Sequence, residues 1–174
     1  MKSRYVVDTN ILIAANAGNP AESRKVDATP SDPVLQRQVW EWLVSLLKSS
    51  SRMVMDVQGK IHKEYATYIF KGGYAEQFML TMYSNGRVDP VALRYDQDGY
   101  AVLPDSLQDV HDLSDRKMVA ACLEAMAVYG ECVIAFAGDT DWHYWEETLR
   151  EHGIDLEPII ESWSRSKYNE KKQR

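Results

Sequence analysis

Four carboxylates, Asp8, Glu64, Asp115 and Asp139, occupy positions whose neighbours predict apolar burial, and none has an evident basic partner in the sequence. Asp8 ends the run Tyr5-Val6-Val7 and Asp139 follows the run from Cys132 to Gly138, so each reads as the C-terminal tip of a buried strand. On a helix, Glu64 shares a face with Ile61, Tyr65 and Tyr68. Asp115 joins Met118, Val119, Cys122 and Met126 by i, i+3, i+4 and i+7 spacing. An isolated charge in a core is costly, whereas several acids around a shared cation are compensated. Hard oxygen ligands suit Mg or Mn, with one or two ions per site. Such ions make a water nucleophilic at neutral pH and stabilise charge on a leaving oxygen. Two strand tips and two inward helix positions that meet at one point would suit phosphodiester hydrolysis.

Strands and helices must alternate to bring those positions together. Residues 4–8 read as the first strand, Thr9 to Ala15 as a short helix, and Asn16 to Asp32, with Gly18, Pro20 and Pro30, as a long surface loop. Pro33 fits the first turn of an amphipathic helix that reaches Lys48, with Asp32 or Ser31 as its N-cap. A strand over Arg52 to Met55 leads to a helix over Val57 to Phe70 that carries Glu64, with Asp56 as N-cap. A further helix covers Tyr74 to Tyr83. The segment 87–110 patterns weakly, with short strands expected at Val88 to Leu93 and Tyr100 to Val102. Ser114 or Asp112 caps a helix that ends at Tyr129-Gly130. A strand from Cys132 to Ala137 and a helix from Thr140 to His152 follow. The last strand, Ile154 to Ile160, is interrupted at Pro158 and belongs at an edge. This alternation predicts an α/β fold with one domain, a largely parallel sheet flanked by helices on both faces. Ligands of such sheets gather beyond the carboxyl ends of the strands.

A chain of 174 residues, 45% hydrophobic and 26% charged, suits a single compact unit rather than a disordered or fibrous one. No apolar stretch is long enough to span a bilayer and the N-terminus leads into a strand, so the expected location is cytoplasmic, with no membrane partner. Cys122 and Cys132 lack metal-ligand spacing and read as reduced core residues. The net charge of -6 argues against nucleic-acid binding through overall charge, but leaves room for local basic patches.

Taken together, these segments resemble the PIN-domain nucleases, a family related to the toxin ribonucleases of toxin-antitoxin systems. Tyr5 to Ile13, with Asp8-Thr9-Asn10, looks like the family's opening strand, and His62-Lys63-Glu64-Tyr65 resembles its central helix. Leu113 to Ala121, with Asp115 opening an alanine-rich helix, and Ala137-Gly138-Asp139-Thr140-Asp141-Trp142 are similar to its third and closing acidic motifs. The resemblance extends over residues 4–160, a PIN-like nuclease domain, and leaves 161–174 as a basic C-terminal tail. It implies a Mg- or Mn-dependent ribonuclease in which Asp8, Glu64, Asp115 and Asp139 are catalytic and metal-binding, Asp141 is an additional metal ligand and Asn10 orients Asp8. Cleavage would leave a 5′-phosphate and a 3′-hydroxyl. An inhibitory partner protein and a homodimer are further implied. The 16–32 loop and the 86–110 segment make the chain longer than the compact toxin members.

Arg116, Lys117, Lys63 and Lys60 are candidate RNA contacts, drawn from a set that also holds Lys71, Arg87 and Arg94. Each acid also has an ordinary reading. Asp8 and Asp115 could cap helices, Glu64 could pair with Lys60 on a solvated face, Asp139 could close an Asx turn and Asp141 could cap. His62 and His143 lack ligand spacing, and His111 and His152 read as surface residues. The tail from Arg165 through Lys167, Lys171, Lys172 and Arg174 could embrace RNA or simply fray. Trp142, Tyr144 and Trp145 could stack on bases or pack internally. Two other classes compete: a catalytically silent PIN-like module that binds RNA or protein, and a phosphatase of the HAD type. The latter needs Asp-x-Asp where the chain has Asp8-Thr9-Asn10.

Overall fold

The structure, a computed structural model, describes residues 1–173. Among them, five strands form one all-parallel sheet: β1 (Arg4–Val7), β2 (Arg52–Asp56), β3 (Val88–Val91), β4 (Val133–Phe136) and β5 (Asp155–Pro158). Their order is β3-β2-β1-β4-β5. The chain winds outward from β1 to β3 and then returns to place β4 on the other side of β1. The switch in winding direction therefore falls between β1 and β4, where Tyr5, Val6 and Val7 pair with Val133, Ile134 and Ala135. Both strands are buried, as their unbroken apolar runs require. Asp8 and Asp139 follow these two neighbours at their carboxyl ends, the place where open α/β sheets bind ligands. The edge strands carry Pro90 in β3 and Pro158 in β5, where a missing N–H costs least.

The helices are α1 (Thr9–Gly18), α2 (Pro33–Lys48), α3 (Lys60–Tyr68), α4 (Tyr74–Ser84), α5 (Arg116–Tyr129), α6 (Trp142–Glu151) and α7 (Glu161–Lys172). Asp32 is the N-cap of α2, and its carboxylate accepts the Val34 N–H at 2.8 Å. Arg87 closes the other end of α2, donating to the Leu47 carbonyl at 2.7 Å and the Leu46 carbonyl at 2.9 Å. Its guanidinium is thus engaged in the fold rather than presented to RNA. No helix among the described residues is long and apolar enough to cross a membrane. Both cysteines are free and buried.

Several expected boundaries shift for identifiable reasons. The first helix runs on to Gly18 because Asn16, 1% exposed, is a core residue whose Oδ1 accepts the Ala75 N–H at 2.8 Å and anchors the start of α4. Asp56 is the last residue of β2, not an N-cap. Its two oxygens nevertheless reach forward over a turn at Gly59 (φ 74°) and accept the N–H groups of Lys60 and Ile61, each at 2.8 Å. The expected strand at Tyr100 to Val102 reduces to a single antiparallel bridge between Tyr95 and Ala101. Residues 161–172 form α7, docked through buried Ser164 and Tyr168, so the described part of the tail does not fray; Arg174 lies outside the described residues.

The long loop before α2 passes over the carboxyl end of β4. A Cβ placed on Gly138 would lie 2.2 Å from the Thr29 carbonyl oxygen, so the residue before Asp139 has room for hydrogen only. Gly138→Ala is expected to destabilise the fold by about 1–3 kcal/mol, the usual range for overpacking, read as a lower urea midpoint. An unchanged midpoint would show that the loop yields freely.

Candidate active site: an acidic crevice at the switch point

Of the four predicted acids, Asp8 and Asp139 follow β1 and β4, Glu64 lies on α3 and Asp115 precedes α5. Asp8 is 3% exposed, and its Oδ2 has no hydrogen-bond partner. Burial, then the charges of Asp139 and Glu64, push its carboxyl up from 3.8 to about 8. Asp115, also buried, is pushed up to about 8 by desolvation and then by Asp8 and Asp139. Asp139 is raised as well, chiefly by desolvation and against the Asp141 N–H that it accepts at 2.8 Å. Each of these shifts has the sign of a group that resists ionisation, and the charge contributions link all four acids.

The ordinary readings separate on geometry. Asp8 and Asp115 do sit at the N-cap positions of α1 and α5, yet neither side chain makes a capping hydrogen bond. Asn10 favours the ionised form of Asp8, but by less than burial opposes it. Asp139 does close the Asx turn. Asp141 makes no side-chain cap to α6 and instead accepts Lys171 of α7 at 3.1 Å.

Glu64 departs furthest from expectation. It is half-buried, Tyr68 on its supposed face is exposed, and its partner is neither solvent nor Lys60 but Lys117. Lys117, 8% exposed, forms an ion pair with one Glu64 oxygen and donates to the Ser114 carbonyl, while the Thr9 hydroxyl donates to the other Glu64 oxygen. The Tyr65 hydroxyl donates to the Val7 carbonyl, so α3 is pinned to the tip of β1 beside Asp8. The expectation that no acid has a basic partner is therefore corrected for Glu64. Removing Lys117 leaves Glu64 facing other acids without compensation. Lys117→Met is expected to destabilise the protein by about 1–3 kcal/mol at pH 7, less than a fully buried pair because Glu64 retains solvent contact. The same loss in Lys117→Arg would assign it to packing rather than to charge.

Arg116 is tied to the Val110 carbonyl at 2.9 Å and is half-buried, whereas Lys60 and Lys63 are exposed on α3. His143 is a core residue, 5% exposed, whose Nε2 meets the Ser164 hydroxyl at 2.9 Å. His111 lies against Trp145, whose indole N–H points to its Nδ1 at 3.3 Å. Trp142 and Trp145 are fully buried and pack edge-on, so neither is available to a base. Asp112 was not anticipated as part of the electrostatic site. It acts on both Asp115 and Asp139, and only its position three residues before Asp115 hinted at this.

Among the described residues, no group of three or more His, Cys, Asp or Glu side chains stands close enough together to hold a metal ion. The charges of Asp139 and Glu64 nonetheless act on Asp8, and those of Asp8 and Asp139 on Asp115, which places the four acids in one neighbourhood. The donor set is all hard oxygen and includes an orphaned buried carboxylate oxygen, which fits Mg or Mn. No family model, curated protein or solved structure matches the chain.

Proposed function

We propose that the chain is a divalent-metal-dependent ribonuclease of the PIN type that hydrolyses RNA phosphodiester bonds at the acidic crevice. The reading rests on Asp8, a buried carboxylate with an unpartnered oxygen among mutually repelling acids at the sheet's switch point. A protein gains nothing in stability from such an arrangement, whereas a cation recruited there satisfies the orphaned oxygen and lowers the cost of ionising its neighbours.

Asp8, Glu64, Asp115 and Asp139 would hold Mg or Mn, with Asp141 at the periphery beside Lys171. The bound ion supplies Lewis acidity and a water of lowered pKa. The chain's own groups do the rest. Thr9 fixes the orientation of Glu64, and the buried strand tips hold Asp8 and Asp139 on a rigid base. The Lys117 ammonium beside Glu64 offers positive charge to the phosphoryl oxygens as negative charge builds on them. Attack by water, with departure of the 3′-oxygen, leaves a 5′-phosphate and a 3′-hydroxyl.

The test is incubation of the purified protein with mixed RNA and Mn, with and without EDTA, followed by sequencing of the new ends. New 5′-phosphate ends that vanish with EDTA are expected. The Lys117–Glu64 pair gives some weight to a silent PIN-like module that binds RNA or protein, since one acid is already compensated. The absence of metal-dependent ends across several RNA classes would favour that module.

A further inference from the structure

Beside the acidic crevice lies a cavity of about 270 Å³, open to solvent and lined by Lys60, Lys63 and Lys117 on one side and Tyr95, Gly99 and Tyr100 on the other. The second wall belongs to the 86–110 segment, the part of the chain that the PIN resemblance leaves unexplained. It is a well-held structure. Asp96 Oδ1 accepts the N–H groups of Asp98 at 3.0 Å and Tyr100 at 2.8 Å, and the Val102 N–H donates to the Arg94 carbonyl at 2.9 Å. The Tyr95 hydroxyl donates to Asp56 at 3.0 Å, so its ring is fixed to the carboxyl end of β2. Lys60 Nζ stands 5.3 Å from the centre of that ring, and a Cβ on Gly99 would come within 3.1 Å of the same ammonium. Tyr100 remains 39% exposed on the rim.

The charge here opposes that of the whole chain. With a net charge of -6 overall, this cavity gathers three ammonium groups, of which Lys117 alone takes a carboxylate among the described residues. Glu64 lines the same cavity, which therefore borders the acidic site at that residue. A ligand in this cavity meets ammonium groups and aromatic rings together, beside Glu64. That is the chemistry of a nucleotide: phosphate for the lysines, a base for the tyrosine.

The geometry points to a subsite for one unpaired nucleotide of an RNA strand, adjacent to the bond cut in the crevice. Its phosphate lies between Lys60 and Lys63, and its base stacks on Tyr100. The subsite rests on the ribonuclease reading for the identity of its ligand. A base paired in a duplex keeps its faces stacked on its neighbours and cannot lie against a tyrosine, so the subsite selects single-stranded RNA. The 86–110 segment is thereby a specificity element.

Fluorescence anisotropy with the full chain carrying Asp8→Asn, in Mg, separates binding from turnover. The probes are a labelled unpaired RNA of mixed sequence, the blunt duplex of the same sequence, and AMP as competitor. The unpaired strand is expected to bind at least about tenfold more tightly than the duplex. Tyr100→Ala should weaken it about 5- to 100-fold while Tyr100→Phe does not. Lys60→Ala with Lys63→Ala should lower the slope of log K against log salt by about 1.4, two phosphate contacts' worth on a single strand. Equal binding of duplex and strand, or parental binding in both variants with unchanged melting curves, overturns the subsite. Competition by AMP at the strand's own concentration overturns the assignment to a strand. The subsite and the hydrolase fail separately. Tyrosine- and lysine-dependent binding in a protein that cuts no RNA removes the hydrolase alone, and metal-dependent cutting with variant-insensitive binding removes the subsite alone.

Discussion

Asp8→Asn is expected to lower Mn-dependent RNA cleavage by at least about a hundredfold, the scale on which weakening a metal site or deleting a charge-stabilising group acts. The metal-free protein should be as stable at pH 7 as its parent, or more so. Asp8 is buried, makes no capping bond and has one oxygen without a partner. With its carboxyl pushed up to about 8, it is largely protonated at neutral pH in the absence of metal, and a neutral amide of the same shape replaces a group that is already mostly uncharged. A clear fall in the urea midpoint together with retained cleavage would assign Asp8 to the cap of α1 and end its role in the site.

Mn is expected to stabilise the protein more at pH 8 than at pH 6. Asp8 and Asp115 have folded values of about 8 against 3.8 for an ordinary aspartate. The folded, metal-free chain therefore keeps protons that the unfolded chain has already released. The contribution of these two groups to stability is fully present below about pH 4 and is lost as pH rises toward 8, by up to about 1.4 kcal/mol per pH unit for each group. Because the two acids raise each other, they titrate as a pair, and the combined slope is smaller than twice that figure. A cation removes this penalty by displacing the protons, so its affinity must increase with pH over the same window. At a hundredfold excess over Kd, mass action contributes about 2.7 kcal/mol, which for a chain of this size raises Tm by about 5–10 °C. Calorimetry in two buffers of different ionisation enthalpy would count the protons released. A Tm indifferent to millimolar Mn at pH 8, or binding without proton release, would contradict the metal site.

The strand tips and inward helix stripes were legible because burial leaves a local signature: an unbroken apolar run ending in Asp8, or Asp115 three and four residues before Met118 and Val119. What escaped was contact between segments distant along the chain. Lys117 reads as one more helical cation beside Asp115, and nothing local reveals that its ammonium reaches Glu64 on α3. Asp56 was recognised as a helix-start residue but misplaced, because its carboxylate reaches over a glycine turn that propensity alone does not register. Arg87 looked like a free cation, yet it satisfies the carbonyls that end α2, about forty residues earlier. The wall formed by Tyr95 and Tyr100 left no periodic trace, since it is held by Asp96 turn bonds and a single bridge.

The prolines at both margins of the sheet constrain how copies of this chain can associate. A strand docking alongside β3 or β5 would meet a residue that offers no N–H, so the ladder could not continue cleanly from one molecule into the next. A continuous ten-stranded sheet across two molecules, and edge-to-edge addition of native copies, are disfavoured at both margins.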